Sequence, residues 1–226
     1  AAVVPVRGLP AGKTRLAALL DADQRNRLVR AMLEDVVRTL QQAPGVASVT
    51  ILSRDAAAAR EAERLGVGFL RQPAAVHGLN AAIVHAQQDL AGSAALLIVP
   101  ADLPLVTPDD VGQLVAQAQT HAVVLAEADD GGTNGLLLRP PAAIAPAFGQ
   151  GSAGRHRAAA QAAGVPVHTV RSQRWALDLD TPEDLSRLLA LVPTHPHADT
   201  LRTLDCLRAP DFPAIAPLDV AGGGCA

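Results

Sequence analysis

The sequence predicts an α/β fold in which a mostly parallel β-sheet is covered by helices on both faces. Short β-branched or Leu-rich runs alternate with longer stretches of helical periodicity, which is the pattern of βαβ units. Residues 94–99 are apolar without alternation, as in a central parallel strand buried on both faces. With 226 residues, 49% of them hydrophobic, the chain has enough apolar material for one sizeable domain.

The elements can be placed in chain order from periodicity and end signals. We expect strands at residues 1–6, 46–52, 67–70, 94–99, 121–126, 134–138 and 167–170. We expect helices at residues 21–42 and 55–65, from Gly78 to about residue 90, from Thr107 onward, at residues 152–163, and from Thr181 to about residue 191. In the first helix Leu28, Met32, Val36 and Leu40 recur every fourth residue, which predicts one buried apolar face.

Three helix starts carry capping signals. Asp21 is suited to be the N-cap of the first long helix. Thr107 and Thr181 are each followed by Pro and two acidic residues, which places a cap, a proline at the first helical position and negative charge in the first turn. After residue 191 Pro and His become frequent and the periodicity fades, so we expect one domain at 1–191 and an irregular tail at 192–226.

Composition excludes several function classes. The formal charge is -3 and the basic residues are scattered, while aromatic residues make up only 2% of the chain; a nucleic-acid-binding surface is therefore not expected. No apolar run approaches the roughly 20 residues of a membrane span. Cys206 and Cys225 both lie in the tail and make neither a disulfide framework nor a metal cage. We expect a cytoplasmic protein with small-molecule substrates and no membrane partner.

The loop after the first strand is the first candidate site. It runs from Arg7 through Gly12 and Lys13 to Arg15, and its backbone N–H groups and cations could hold a triphosphate. It is not a Walker A loop, because that motif needs glycine where Arg7 stands. The alternative interpretation is an exposed basic turn.

Three aspartates form the second candidate site. Asp102 directly follows the buried strand 94–99, where a carboxylate is held rigidly enough to bind Mg²⁺. Asp178 and Asp180 are two residues apart, so an extended chain would aim both to the same side, where a divalent cation would relieve their repulsion. Alternatively, Asp102 caps a turn and Asp180 adds charge to the next helix N-terminus.

A third candidate site involves two glycine-containing segments. Gly131 and Gly132 precede Thr133, and Gly149 and Gly151 precede Ser152 at a predicted helix start. Glycines let the backbone approach a ligand closely, and a helix N-terminus binds anions, so we expect a phosphate or carboxylate here. Ordinary connection chemistry before a Ser-capped helix is the alternative.

Taken together, the motifs resemble the phospholactate/phosphoenolpyruvate guanylyltransferase family of coenzyme F-420 biosynthesis. The matches run in order from about residue 3 to residue 190. The segments that carry the resemblance are Val4-Pro5-Val6-Arg7 through Lys13-Thr14-Arg15-Leu16, Gly78-Leu79-Asn80, Pro100-Ala101-Asp102-Leu103-Pro104, Gly131-Gly132-Thr133-Asn134, Gly149-x-Gly-Ser152-x-x-Arg155-His156 and Leu177-Asp-x-Asp180-Thr-Pro-x-Asp184-Leu.

The resemblance implies a three-layer αβα nucleotidyltransferase fold, Rossmann-like and similar to the glycosyltransferase-A type. It implies transfer of GMP from GTP to the phosphate of 2-phospho-L-lactate, phosphoenolpyruvate or 3-phospho-D-glycerate, with release of pyrophosphate and hand-over to a downstream transferase. By position, Asp102, Asp178 and Asp180 would carry Mg²⁺, two ions in all, with Lys13 and Asp102 catalytic. Arg7, Lys13 and Arg15 would contact the GTP phosphates and Asn80 the nucleoside; Thr133, Gly149 and Ser152 would hold the acceptor acid.

Two residues depart from the family pattern. Arg7 stands where Lys is frequent, which keeps the charge, and Ala153 stands where an aromatic residue is common, which leaves the identity of the acid open. The alternatives are a molybdopterin or sugar-phosphate nucleotidyltransferase of the same fold, a metal-dependent glycosyltransferase, and a non-catalytic nucleotide-binding domain. The sequence also leaves the oligomeric state open.

Overall fold

A computed structural model describes residues 1–9 and 13–217. Seven strands form one sheet in the order β3-β2-β1-β4-β6-β5-β7. The strands are β1 (Ala2–Pro5), β2 (Val49–Ser53), β3 (Gly68–Arg71), β4 (Leu96–Ile98), β5 (Val123–Glu127), β6 (Thr133–Leu138) and β7 (Val167–Val170). Among these described strands only β6 is antiparallel to its neighbours, so the predicted mostly parallel mixed sheet is confirmed.

Eight α-helices accompany the sheet in the described part of the chain. They are α1 (Ala22–Gln42), α2 (Ala56–Leu65), α3 (Leu79–Asp89), α4 (Pro108–Gln117), α5 (Ser152–Ala162), α6 (Gln173–Ala176), α7 (Pro182–Leu191) and α8 (Arg202–Leu207). The core on one face of the sheet includes side chains of α1, α2, α4 and α6, and the core on the other face includes those of α3 and α5. This arrangement confirms the three-layer αβα architecture. No helix in the described residues is long and apolar enough to cross a membrane.

The predicted helix starts are confirmed by their caps. Asp21, Thr107 and Thr181 each accept a hydrogen bond from the backbone N–H three residues later, and each start forms a capping box. Such reciprocal bonds satisfy two otherwise unpaired donors of the first turn. The caps therefore fix where α1, α4 and α7 begin.

The prediction of an irregular tail at 192–226 is wrong for α8. Its Leu204 is fully buried in a cluster with Leu28 of α1 and Leu188 of α7. Asp35 of α1 accepts hydrogen bonds from the backbone N–H groups of Arg202 and Thr203 at 2.7 and 2.8 Å. Local sequence analysis misses this helix because the helix is short and its cap comes from a residue far away in the chain. Cys225 lies outside the described residues.

Candidate active site

The predicted site residues after β1 and β4 meet at the carboxyl edge of the sheet. A cleft of about 450 Å³ lies there, and Arg7, Lys13, Asp102 and Asp180 line it together with apolar side chains that include Phe148. Parallel strands with a crossover between them leave such a crevice beyond their carboxyl ends. Loop residues 10–12, which include Gly12 of the predicted phosphate-binding loop, lie outside the described residues.

Lys13 binds two carboxylates that line this cleft. Its Nζ lies 2.5 Å from Asp102 Oδ2 and 2.9 Å from Asp180 Oδ1, and its backbone adopts a left-handed conformation with φ of 57°. Burial by itself would lower the pKa of Lys13, but the charge and hydrogen bonds of Asp102 and Asp180 outweigh burial and raise it. The ammonium group is therefore a fixed positive charge at neutral pH.

The Asp-x-Asp segment lies against Asp102 as the alternation predicts. Leu177 and Leu179 are buried, and the Leu179 N–H donates to the Asp102 carbonyl oxygen at 3.1 Å. Because side chains alternate along an extended chain, Asp178 and Asp180 face away from the leucines. The Leu179–Asp102 bond is one of the contacts that bring the Asp-x-Asp segment beside Asp102.

The three aspartates differ in their partners. Asp180 binds Lys13 and also Arg15, whose Nη1 lies 3.3 Å from Asp180 Oδ2. Burial, followed by the nearby charge of Asp102, raises the pKa of Asp178. Asp102 Oδ1 is buried and has no hydrogen-bond partner among the residues that the structure describes. Negative charge thus accumulates around Asp102 beyond what Lys13 neutralises.

Asn134 links this segment to the sheet. From the first residues of β6, its Nδ2 donates to the Trp175 carbonyl oxygen at 2.9 Å and to Asp178 Oδ1 at 3.3 Å. The sequence motif contains Asn134, but the motif gives it no role. The alternation of side chains along a strand could have revealed this role. It points Thr133 and Asn134 to opposite faces of the sheet, so the two side chains meet different partners.

Two of the predicted acceptor residues, Thr133 and Ser152, belong to one hydrogen-bonded group. Ser152 Oγ donates to Thr133 Oγ1 at 2.9 Å, and the Ala153 N–H at the start of α5 donates to the Gly131 carbonyl oxygen at 3.1 Å. The β5–β6 turn and the N-terminus of α5 are therefore in contact. The two glycine-containing segments are predicted to form one site, and this contact brings them together. Thr133 and Ser152 are almost fully buried.

His156 determines the direction of these hydrogen bonds. The Ala147 N–H donates to His156 Nε2 at 2.8 Å, so in the neutral ring the proton is on Nδ1, which lies 3.0 Å from Thr133 Oγ1. Burial, with a smaller contribution from the charge of Arg155, lowers the pKa of His156 to about 4. Thr133 thus accepts from His156 and Ser152 and keeps its own hydroxyl proton to donate.

Gly149 and Asn80 shape the loop that carries Phe148, which lines the cleft. Gly149 has a φ of 124°, a conformation that favours glycine, and Arg155 holds this loop through the Ala147 carbonyl oxygen at 2.8 Å. The Asn80 side chain exchanges two hydrogen bonds with the backbone of Phe148, at 2.7 and 3.1 Å. Asn80 therefore positions the Phe148 loop, and its contact with the nucleoside stays a prediction.

A second cavity, the side pocket, opens beside the cleft at the carboxyl ends of β2 and β3. It has a volume of about 280 Å³ and shares Val6, Arg7 and Leu79 with the cleft. Its distal end carries Arg54, directly after β2, and Gln72, directly after β3. Sequence analysis missed both residues, although the rule that identified Asp102, a polar residue just past a strand, applies to them equally.

The predicted metal ligands form no ready-made cage. Among the described residues no group of three or more His, Cys, Asp or Glu side chains is arranged to hold a metal ion. The Lys13 ammonium group bridges Asp102 and Asp180 in this structure. Metal binding by these aspartates remains a prediction.

Curated relatives cover nearly the whole chain. A phosphoenolpyruvate guanylyltransferase from Sphaerobacter thermophilus is 41% identical over 201 residues, which covers 88% of this chain and 96% of the relative. One from Rubrobacter xylanophilus is 45% identical over 193 residues, covering 84% and 93%. A 3-phospho-D-glycerate guanylyltransferase from Phenylobacterium zucineum is 37% identical over 189 residues, covering 81% and 86%.

A solved structure and a family model agree with these matches. A protein from Desulfovibrio desulfuricans G20, classed among nucleotide-diphospho-sugar transferases, superposes with a TM-score of 0.77 at 19% identity and covers 92% of this chain and 93% of its own. At that identity the superposition shows the fold alone. The family model described as "Guanylyl transferase CofC like" matches residues 1–208. The chain therefore belongs to the CofC-like guanylyl transferase family.

Proposed function

We propose that this protein transfers GMP from GTP to the phosphate of a small phospho-acid and releases pyrophosphate, as a cytoplasmic enzyme of coenzyme F-420 biosynthesis. The observation that carries the proposal is the meeting of Lys13 with Asp102 and Asp180 at the edge of the sheet where β6 begins with Thr133, the partner of Ser152. Phosphate-binding cations, carboxylates and an anion-binding group thus share one edge of the sheet. Nucleotidyl transfer needs these three components.

Phosphoenolpyruvate is the first acceptor to test, because the relatives from Sphaerobacter thermophilus and Rubrobacter xylanophilus, at 41% and 45% identity, are named for it. 3-Phospho-D-glycerate, named in a relative at 37% identity, and 2-phospho-L-lactate complete the set. Ala153, which is fully buried at the start of α5, leaves the choice among these acids open. The product would pass to a downstream transferase.

The chemistry of the three aspartates supports Mg²⁺ as the proposed cofactor. Asp102 Oδ1 is buried without a partner among the described residues, and the charge of Asp102 contributes to the raised pKa of Asp178. A divalent cation would bind the unpartnered oxygen and reduce the repulsion between the carboxylates, and carboxylate oxygens are the ligands that Mg²⁺ prefers. Asp102, Asp178 and Asp180 would hold the metal, and bound Mg²⁺ would neutralise charge on the triphosphate. The predicted number of two ions stays part of this proposal.

The side chains supply positioning rather than a general base. The acceptor phosphate is already anionic near neutral pH, so it can attack the α-phosphorus of GTP in line without losing a proton to the protein. Arg7 and Lys13 would bind the phosphates of GTP, with Arg15 at the exposed rim of the cleft. Thr133, which accepts from His156 and Ser152 and so keeps its own hydroxyl proton, would donate to the acceptor. Catalysis then rests on charge complementarity and orientation.

Pyrophosphate release tests this proposal directly. The purified protein is incubated with GTP and Mg²⁺ and with each of the three phospho-acids in parallel, with and without EDTA. We expect release that depends on one acid and is abolished by EDTA. GTP binding without release for any of the three acids would overturn the proposal and favour a nucleotide-binding role or another acceptor.

A further inference from the structure

The side pocket has the size and polarity of a nucleobase site. Its walls include Val6, Leu52, Leu79 and Ala82, which are apolar. Polar groups of side chains enter it at the distal end, from Arg54 and Gln72. A flat aromatic ring with hydrogen-bonding groups on one edge matches a lining of this kind.

The pocket is correctly placed for the base of a nucleotide whose phosphates lie in the cleft. Val6, Arg7 and Leu79 line both spaces, so the side pocket and the cleft adjoin, as the base and phosphate sites of one nucleotide must. The cleft end holds Lys13, a fixed cation for phosphates. The base of the same molecule would then reach the carboxyl ends of β2 and β3.

Arg54 and Gln72 have their orientations fixed by one shared partner. Arg54 Nη2 and Gln72 Nε2 both donate to the Val76 carbonyl oxygen, at 2.9 and 2.6 Å. Since Nε2 is the donor end of the Gln72 amide, Oε1 is the end left to accept a hydrogen bond. The Arg54 guanidinium keeps further N–H groups to donate. One donor group and one acceptor are therefore held side by side.

We propose that Arg54 and Gln72 select guanine, with Arg54 donating to guanine O6 and Gln72 Oε1 accepting from guanine N1–H. This inference rests on the proposed use of a nucleotide in the cleft and adds the basis of its selection. Guanine O6 and N1–H are adjacent on the ring, as are the two protein groups at Val76. Adenine presents an amino donor and an unprotonated ring nitrogen at these positions, so both contacts would be mismatched.

Rotation of the Gln72 amide does not rescue adenine. A flipped amide would place Oε1 against the Val76 carbonyl oxygen and would lose the 2.6 Å hydrogen bond. Arg54 has only donors whatever its rotamer. A mismatched hydrogen-bonding group costs about tenfold in affinity when water is excluded, and less at Arg54, which is exposed, so we expect GTP to be preferred to ATP by at least about tenfold.

The test measures dissociation constants of GTP, ITP and ATP by calorimetry, which requires no acceptor acid. ITP keeps O6 and N1–H, so the wild type should bind it nearly as tightly as GTP. Arg54→Ala and Gln72→Ala should each weaken GTP and ITP by up to about tenfold and change ATP much less, so that the preference collapses. Arg71→Ala is the matched control. Arg71 is the last residue of β3, next to Gln72, but its guanidinium group lies over the Phe69 ring and does not line the side pocket.

The outcomes separate selection from loop positioning. If either variant weakens GTP, ITP and ATP equally, the two residues only hold the Val76 loop, and the inference is overturned. An unchanged ratio of GTP to ATP affinity in both variants overturns it as well. A wild type that binds GTP selectively but releases no pyrophosphate would refute the proposed function while leaving the base selection intact.

Discussion

Replacing Asp102 by Asn separates catalysis from folding. The substitution removes one negative charge and almost no volume from the centre of the cleft. It weakens the ion pair with Lys13, in which the two side chains are 10% and 25% exposed, but Asp180 still binds the same ammonium group at 2.9 Å. It also relieves the repulsion from Asp102 that contributes to the raised pKa of Asp178.

These two effects on stability oppose each other. Losing a partly buried ion pair costs on the order of 1 kcal/mol, and relief of a like-charge contact returns a similar amount. We therefore expect the free energy of unfolding to change by less than about 1 kcal/mol, which is a shift in Tm of roughly 2–4 °C at most for a chain of this size. The rate of pyrophosphate release should fall by about a thousandfold or more, because the proposed Mg²⁺ ion, which would neutralise the triphosphate, would lose one of its carboxylate ligands.

The assay pairs thermal unfolding with pyrophosphate release from GTP, Mg²⁺ and phosphoenolpyruvate. Asp109→Asn is the matched control, because Asp109 is an exposed acid of the first turn of α4 outside the cleft, and it should keep the wild-type rate. A near-normal rate for Asp102→Asn at unchanged Tm would refute the assignment of Asp102 to the catalytic site. A loss of rate that is accompanied by unfolding would refute the claimed balance of charges.

Three further predictions address the acceptor group and the C-terminal helix. Thr133→Val, which replaces the hydroxyl by a methyl group, should raise the KM for the phospho-acid by roughly 10- to 100-fold with little effect on the KM for GTP, as steady-state kinetics in both substrates will show. Because the pKa of His156 is lowered to about 4, the neutral ring stabilises the fold above pH 6.5, and about 2–3 kcal/mol of stability is lost as pH falls from 6.5 to 4. Urea unfolding at several pH values should show this loss in the wild type and a smaller one in His156→Asn. Asp35→Ala leaves the first N–H groups of α8 without their cap and should cost about 1–2 kcal/mol, with faster amide exchange in α8 than in α1; equal exchange would contradict the capping role.

Much of the fold could be predicted from local patterns. The capping boxes at Thr107 and Thr181 are complete within four residues of sequence, so they need no tertiary context. Strand β4 was identifiable because a strand buried on both faces must be apolar throughout. Helix α6 was missed because its four residues are too few for periodicity, although its Trp175 is fully buried.

The candidate site was predictable only as a set of residues. The position of Asp102 after a buried strand and the spacing of Asp178 and Asp180 indicated carboxylates at one edge of the sheet. No local pattern indicated that Lys13 would lie between them, since that contact spans 89 residues to Asp102 and 167 to Asp180. The role of Asn80 in holding Phe148 was equally beyond local patterns.

The sequence by itself determined the layer architecture, the helix starts and the family, because periodicity, caps and ordered motifs are properties of neighbouring residues. Only the tertiary structure decided which proton His156 carries, which groups Arg54 and Gln72 present, and where α8 docks. Each of these depends on a hydrogen bond to a backbone atom: Ala147 N–H, the Val76 carbonyl oxygen, and the first N–H groups of α8. Backbone atoms are the same in every residue, so their use as partners leaves no trace in the amino-acid sequence.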